Sequence, residues 1–247
     1  MRRIRLVVSY DGTEYHGWQV QPGLATIQGT LETVLGEIES APVAVAGSGR
    51  TDAGVHALAQ VAACNLTNPI PCRNLRKAMN RRLPPDIRIL EAEEAAPDFH
   101  PRFQAKAKTY EYRICRGEIC PPFDRRYVYH FPYSVNEQAF LDAADVYQGE
   151  HDFSAFSATD EKDELGLSKV RRVFSSQAFR NGDLLVYRVR GSGFLKHMVR
   201  NLVGGLMETA KGNLTREGLA ELIRPGAGRK LGVAVPARGL FLIGVEY

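Results

Sequence analysis

The sequence contains no apolar run near the ~18 residues that a membrane-crossing helix requires. Its start, Met-Arg-Arg-Ile-Arg, leads into a strand-like Leu6-Val7-Val8 rather than the body of a signal peptide. These absences argue against a membrane or secreted protein, and the expectation is a cytoplasmic one. Cysteine is scarce, and Cys64, Cys72, Cys115 and Cys120 form no C-x-x-C pair and have no histidines at zinc-ligand spacing. That argues against a structural zinc, and without a secretion signal the four read as reduced packing residues rather than disulfides. Compositional disorder is missing too, since hydrophobic residues make up 44% of the chain and charged residues 24%. A chain of 247 residues with that composition can bury a sizeable core, as one large or two small domains.

What is present is arginine. The chain carries 32 Lys plus Arg against 28 Asp plus Glu, for a net charge of +4, and 24 of the 32 are Arg, whose planar fork suits phosphate and stacks on bases. Between residues 166 and 200 stand Lys169, Arg171, Arg172, Arg180, Arg188, Arg190, Lys196 and Arg200, with Asp183 as the single acid. A second cluster, Arg73, Arg76, Lys77, Arg81 and Arg82, contains no acid. Either alone reads equally well as a solvated basic face; two in one chain favour a polyanionic partner.

Periodicity places a strand at 3–10, a helix at 26–38 (Ile27, Leu31, Val34, Leu35 and Ile38 at helical spacing), short strands at 42–46 and 57–66, a basic helix at 71–83 and a strand at 87–92. The order β-α-β-β-α-β is that of the ferredoxin-like split unit. A similar order then follows: a strand at 107–115, a helix at 137–146, strands at 170–179 and 184–191 joined by the turn Asn181-Gly182, a helix at 196–211 with an apolar stripe, a short helix at 215–223 and a strand at 240–245. The expected fold class is α+β, two ferredoxin-like halves with antiparallel sheets, at 1–104 and 105–247. Such sheets offer an open face on which RNA is often bound.

The most unusual stretch is Gly47-Ser48-Gly49-Arg50-Thr51-Asp52-Ala53-Gly54-Val55-His56, longer than the two to five residues that an ordinary hairpin needs. It lacks the Gly-Lys-Ser/Thr of a nucleotide P-loop and opens no helix. It supplies an arginine two residues from a carboxylate, on backbone whose glycines permit close approach by a ligand. Taken alone, the loop reads more readily as an Asp holding its own turn beside a solvated Arg.

Five blocks, in order along almost the whole chain, resemble the tRNA pseudouridine synthase A family. They are Tyr10-Asp11-Gly12-Thr13-Glu14-Tyr15-His16-Gly17-Trp18-Gln19; Gly49-Arg50-Thr51-Asp52-Ala53-Gly54-Val55-His56-Ala57; Phe99-His100-Pro101-Arg102-Phe103 with Lys108-Thr109-Tyr110-Glu111-Tyr112; Phe194-Leu195-Lys196-His197-Met198-Val199-Arg200-Asn201; and Gly239-Leu240-Phe241-Leu242. No departure is found at the catalytic positions of the family, while connections such as 159–167 are uninformative.

The resemblance implies a pseudouridine synthase fold with its active-site cleft between the two halves. It also implies an enzyme that isomerises uridine to pseudouridine at positions 38, 39 and 40 of the tRNA anticodon stem-loop, on a flipped-out nucleotide, as a homodimer with each tRNA spanning both subunits. Carried over residue by residue, Asp52 is the catalytic carboxylate and Arg200 its ion-pair partner. Arg50 enters the space left by the flipped nucleotide, Tyr110 stacks on the uracil and helps move the C5 proton, and Leu240 packs on the other ring face. Without the resemblance, Tyr110 beside Tyr112 reads as sheet packing, Leu240 as core and Arg200 as a solvated helix cation. His56, His100 and His197 stay unassigned, with hydrogen bonding or RNA-backbone contact favoured over a metal, because no acid or Cys cluster accompanies them. No cofactor and no metal are expected. The other classes weighed are a non-catalytic RNA-binding protein of paired ferredoxin-like units, which leaves the 47–56 loop without a purpose, and a nucleosidase or glycoside hydrolase, which would usually employ a second carboxylate and a water.

Overall fold

The computed structural model describes residues 1–158, 168–226 and 230–247. The connection at 159–167 and the beginning of the basic stretch at Gly166 lie outside the described residues. The chain is α+β and divides into two compact units, Met1–Lys106 with Phe241–Tyr247, and Ala107–Leu240.

The first unit runs β1 (Arg2–Tyr10), α1 (Ile27–Glu39), β2 (Ala46–Gly47), β3 (His56–Leu66), α2 (Cys72–Arg82) and β4 (Ile87–Glu94). β1 lies between β3 and β4, antiparallel to both, and β2 pairs antiparallel with β3. That is the β-α-β-β-α-β arrangement read from periodicity. Helix α1 begins where Thr26 Oγ1 accepts the Gly29 N–H and ends at Ser40, whose φ of 59° turns the chain out of the helix. Its stripe Ile27, Leu31, Val34 and Leu35 is buried, as are Leu75 and Met79 of α2.

The strand expected at 42–46 is shorter and later than its β-branched run suggests. Val43 and Val45 are buried, but the polar groups of Val45 are taken by α1: Glu32 Oε1 accepts its N–H at 2.9 Å and Gln28 Nε2 donates to its carbonyl at 2.9 Å. With those groups satisfied by helix side chains, ladder pairing starts only at Ala46.

The second unit runs β5 (Ala107–Cys115), β6 (Tyr129–His130), α3 (Glu137–Ala143), β7 (Gly149–Asp152), β8 (Val170–Asn181), β9 (Leu184–Gly191), α4 (Met198–Ala210) and α5 (Arg216–Glu221). The order β5-β9-β8-β7 is antiparallel throughout, and β6 adds a two-residue parallel pairing to β5. Strands β6 and β7 carry no apolar alternation and so leave no periodic signal. The helix expected at 137–146 tightens into a 3-10 turn over Ala144–Tyr147, and that expected from 196 starts at Met198, because His197 sits in the left-handed region at φ 59°.

On β5, burial works against the ionised Glu111 carboxylate, but Arg188 at 2.5 Å and Arg113 at 2.8 Å prevail and hold the carboxyl below its usual range. Arg188 comes from β9, directly opposite Glu111, so the pair ties together the strands that carry Tyr110 and its cross-strand partner Val189.

The closing strand β10 (Leu240–Glu246) pairs parallel with β3 through Phe241 opposite His56 and Leu242 opposite Ala57. Its residues from Phe241 onward therefore count with the first unit, although they follow the second in sequence.

Candidate active site

Two of the five candidate residues, Arg50 and Asp52, lie in the first unit, and Tyr110, Arg200 and Leu240 lie in the second. Within the first unit, the blocks at 10–19 and 49–57 form one piece of structure. The Trp18 N–H donates to the Thr51 carbonyl at 3.0 Å, the Gly54 N–H to the Tyr15 carbonyl at 3.3 Å, and the Tyr10 hydroxyl meets Thr51 Oγ1 at 2.9 Å. Two glycines make this approach possible. A Cβ on Gly17, which has φ 87°, would lie 2.6 Å from the Thr51 carbonyl oxygen, and one on Gly47 would lie 2.5 Å from the Trp18 indole. Burial pushes the Tyr10 hydroxyl up to about 12, so it stays protonated and available to Thr51 at neutral pH.

The loop is braced from beneath by Gln60, a fully buried amide in the middle of β3. Its Nε2 donates to the Gly49 carbonyl at 3.0 Å, and its Oε1 accepts from Ser48 Oγ. Gln60 was not picked out from the sequence, yet the signal is there: one long polar residue inside Ala59-Gln60-Val61-Ala62-Ala63. Beyond the brace, the Val55 N–H closes a turn on the Asp52 carbonyl at 3.1 Å, with Gly54 at φ 76°. Asp52 is half-buried on that turn, between buried Thr51 and exposed Ala53, and Arg50 is exposed. The loop thus fixes its backbone internally and presents a carboxylate at its rim.

His56 has a clear structural task. Its Nδ1 accepts the Gly12 N–H at 3.1 Å and lies 3.1 Å from Asp11 Oδ1, and its ring stacks on Phe241 at 4.8 Å. It pegs the far end of the loop to the first block and to β10. His100 caps its own turn by accepting the N–H groups of Arg102 and Phe103. Among the described residues no three His, Cys, Asp or Glu side chains group as metal ligands.

In the second unit, Tyr110 is 8% exposed on β5, with Phe194 edge-on to its ring at 5.1 Å. Phe194 and Arg200 bracket the turn into α4, and buried Asn201 anchors that turn through Nδ2 to the Phe156 carbonyl at 2.7 Å. Arg200 Nε donates to the Val235 carbonyl at 2.8 Å, and the Tyr112 hydroxyl to the Pro236 carbonyl at 2.7 Å. These contacts bring the α4 arginine and β5 to the segment that leads into Leu240, which is 5% exposed.

A family model described as tRNA pseudouridine synthase matches residues 6–104 and 143–247. Over 247 residues the chain is 60% identical to a protein of Solibacter usitatus named tRNA pseudouridine synthase A, and the match covers the whole of both. Proteins of the same name from Exiguobacterium sp. and Citrifermentans bemidjiense are 39% and 41% identical over all of this chain and 98% of theirs.

Proposed function

The chain belongs to the tRNA pseudouridine synthase family, an isomerase of uridine in tRNA, and from that premise we propose that Asp52 is its catalytic carboxylate, acting on a nucleotide flipped out at position 38, 39 or 40 of the anticodon stem-loop. The observation that carries this reading is the Asp52 loop: Gln60, Trp18, Tyr15 and Thr51 hold its backbone from within, and its one carboxylate stands half-buried at the rim. A site that must meet a reacting atom in a set geometry needs such a rigid mount.

The reaction breaks the N1 glycosidic bond, turns the bound uracil and joins C5 to the sugar; C5 loses a proton and N1 gains one. Product and substrate have the same atoms and oxidation level, so no step calls for an electron carrier. A carboxylate can attack the sugar carbon or the base, or remove a sugar proton, and each role requires its ionised form. Arg200 is its counter-ion, Leu240 and Tyr110 hold the two faces of the uracil, and Arg50 fills the place the nucleotide has left. Taking a base out of its stack costs a few kcal/mol, which contacts to the RNA backbone offset. The arginine clusters at 73–82 and 169–200 supply such contacts, reading shape rather than sequence. The enzyme acts in the cytoplasm as a homodimer, each tRNA touching both subunits.

The role of Tyr110 is open to direct test. Tyr110→Phe keeps the ring and its edge contact with Phe194 and removes the hydroxyl. If that hydroxyl helps move the C5 proton, the variant binds tRNA normally and turns over roughly a hundredfold or more slower in single-turnover assays. A wild-type rate would reduce Tyr110 to a stacking platform.

A further inference from the structure

We propose that Tyr112 and Arg200 form a latch that seats the 230–240 segment on α4 and thereby sets the position of Leu240, which makes Tyr112 a positioning residue and gives Arg200 a second task. The inference rests on the uridine-site roles proposed above for Leu240 and Arg200.

The segment has little structure of its own, with one 3-10 turn at Ala237–Gly239 before β10 begins. It is held instead by Ala155, α4 and β5. The Leu231 N–H donates to the Ala155 carbonyl at 3.0 Å, and the Val233 carbonyl lies against Gly204 of α4 where any Cβ would collide with it. At Val235 the segment meets Arg200 twice: its N–H faces the Arg200 carbonyl at 3.4 Å, and its own carbonyl accepts from Arg200 Nε at 2.8 Å. One residue on, the Pro236 carbonyl accepts the Tyr112 hydroxyl at 2.7 Å. Gly239 then packs on the same tyrosine, where a Cβ would stand 2.8 Å from Tyr112 Cζ and 2.8 Å from the Arg113 carbonyl oxygen.

Two adjacent carbonyls held by side chains from two different elements fix the direction of the segment as well as its place. Tyr112 is fully buried, and burial raises its hydroxyl well above the ordinary range, so it remains a donor at any working pH. Arg200 suits a double task because a guanidinium presents five N–H groups on a planar fork. Nε donates to Val235, and in the role proposed above a terminal nitrogen of the same fork serves the carboxylate. A lysine, as a single compact charge, cannot occupy both positions.

The test is a set of single-turnover rates at saturating enzyme on unmodified tRNA transcripts, with tRNA affinity and thermal midpoints measured in parallel and all rates taken well below the midpoints. Tyr112→Phe, which keeps the buried ring, is expected to react about tenfold slower with tRNA affinity changed less than about twofold, the size of effect that loss of one buried hydrogen bond can produce. Arg200→Lys is expected to slow the reaction by at least as much while leaving the acid limb of the pH–rate profile in place, since the charge is kept. The decisive comparison is a double-mutant cycle, because in a Leu240→Ala background Tyr112→Phe should have no further effect on rate. A wild-type rate for Tyr112→Phe overturns the latch, as does a full tenfold loss on top of Leu240→Ala. Leu240→Ala at the wild-type rate overturns instead the assignment of Leu240 on which the latch rests, and the latch with it.

Discussion

Asp52→Asn should abolish pseudouridine formation, lowering the single-turnover rate by at least four orders of magnitude or so, while leaving the thermal midpoint and tRNA affinity close to wild type. The substitution removes the ionisable group and leaves the backbone bonds of the loop in place. The turn is closed by the backbone N–H of Val55 on the Asp52 carbonyl, and the loop is tied to β3 by Gln60 through the Gly49 carbonyl. The amide has nearly the shape of the carboxylate, so a large loss of rate with retained binding isolates chemistry from architecture. On the proposed reading binding is spread over the two basic clusters at 73–82 and 169–200, and no single loop residue dominates such an interface. Asp52→Ala should behave in the same way. Measurable turnover in either variant, at more than about a hundredth of the wild-type rate, would remove Asp52 from the centre of the mechanism.

Arg200→Ala and Arg50→Ala should fail in different ways. If Arg200 is the counter-ion of Asp52, its removal leaves the carboxylate to ionise without a partner, so the acid limb of the pH–rate profile moves to higher pH. The rate on the plateau should also fall, because Val235 loses the hydrogen bond from Nε. Arg50 is exposed and lies beside the loop brace rather than within it. If it fills the space of the flipped nucleotide, Arg50→Ala should weaken productive tRNA binding and lessen the dependence of affinity on salt by about one counterion, with the acid limb unmoved. Both variants need rate against pH and affinity against salt. An unmoved acid limb in Arg200→Ala, or a moved one in Arg50→Ala with the salt slope unchanged, would mean that the counter-ion has been assigned to the wrong arginine.

The elements that were readable in the sequence are those whose signal is local. β5 at Ala107–Cys115 follows from the alternation of Tyr110, Tyr112 and Ile114, and α1 from apolar residues at helical spacing. The Asp52 loop stood out because it is too long and too rich in glycine for a turn. What could not be read depends on partners distant in the chain. Val45 is kept from the ladder by Glu32 and Gln28 of α1, and His56 meets Phe241 across most of the sequence. Strand β7, Gly-Glu-His-Asp, is an edge strand with no apolar face, formed only because β8 offers it a ladder. The task of Tyr112 was hidden for the opposite reason. In a stripe of strand aromatics its ring reads as packing, and only the Pro236 carbonyl at its hydroxyl and Gly239 against its ring give it a second meaning.

The most direct test of the account is to incubate the protein with unmodified tRNA transcripts, without added metal beyond that needed to fold the RNA, and to map pseudouridine at single-nucleotide resolution. The account predicts conversion confined to uridines 38, 39 and 40 of the anticodon stem-loop, none with Asp52→Asn, and no free uracil. Stable binding of tRNA without conversion would identify a non-catalytic RNA-binding protein, release of uracil would identify a glycosidic hydrolase, and conversion confined to uridines elsewhere in the tRNA would contradict the assigned target.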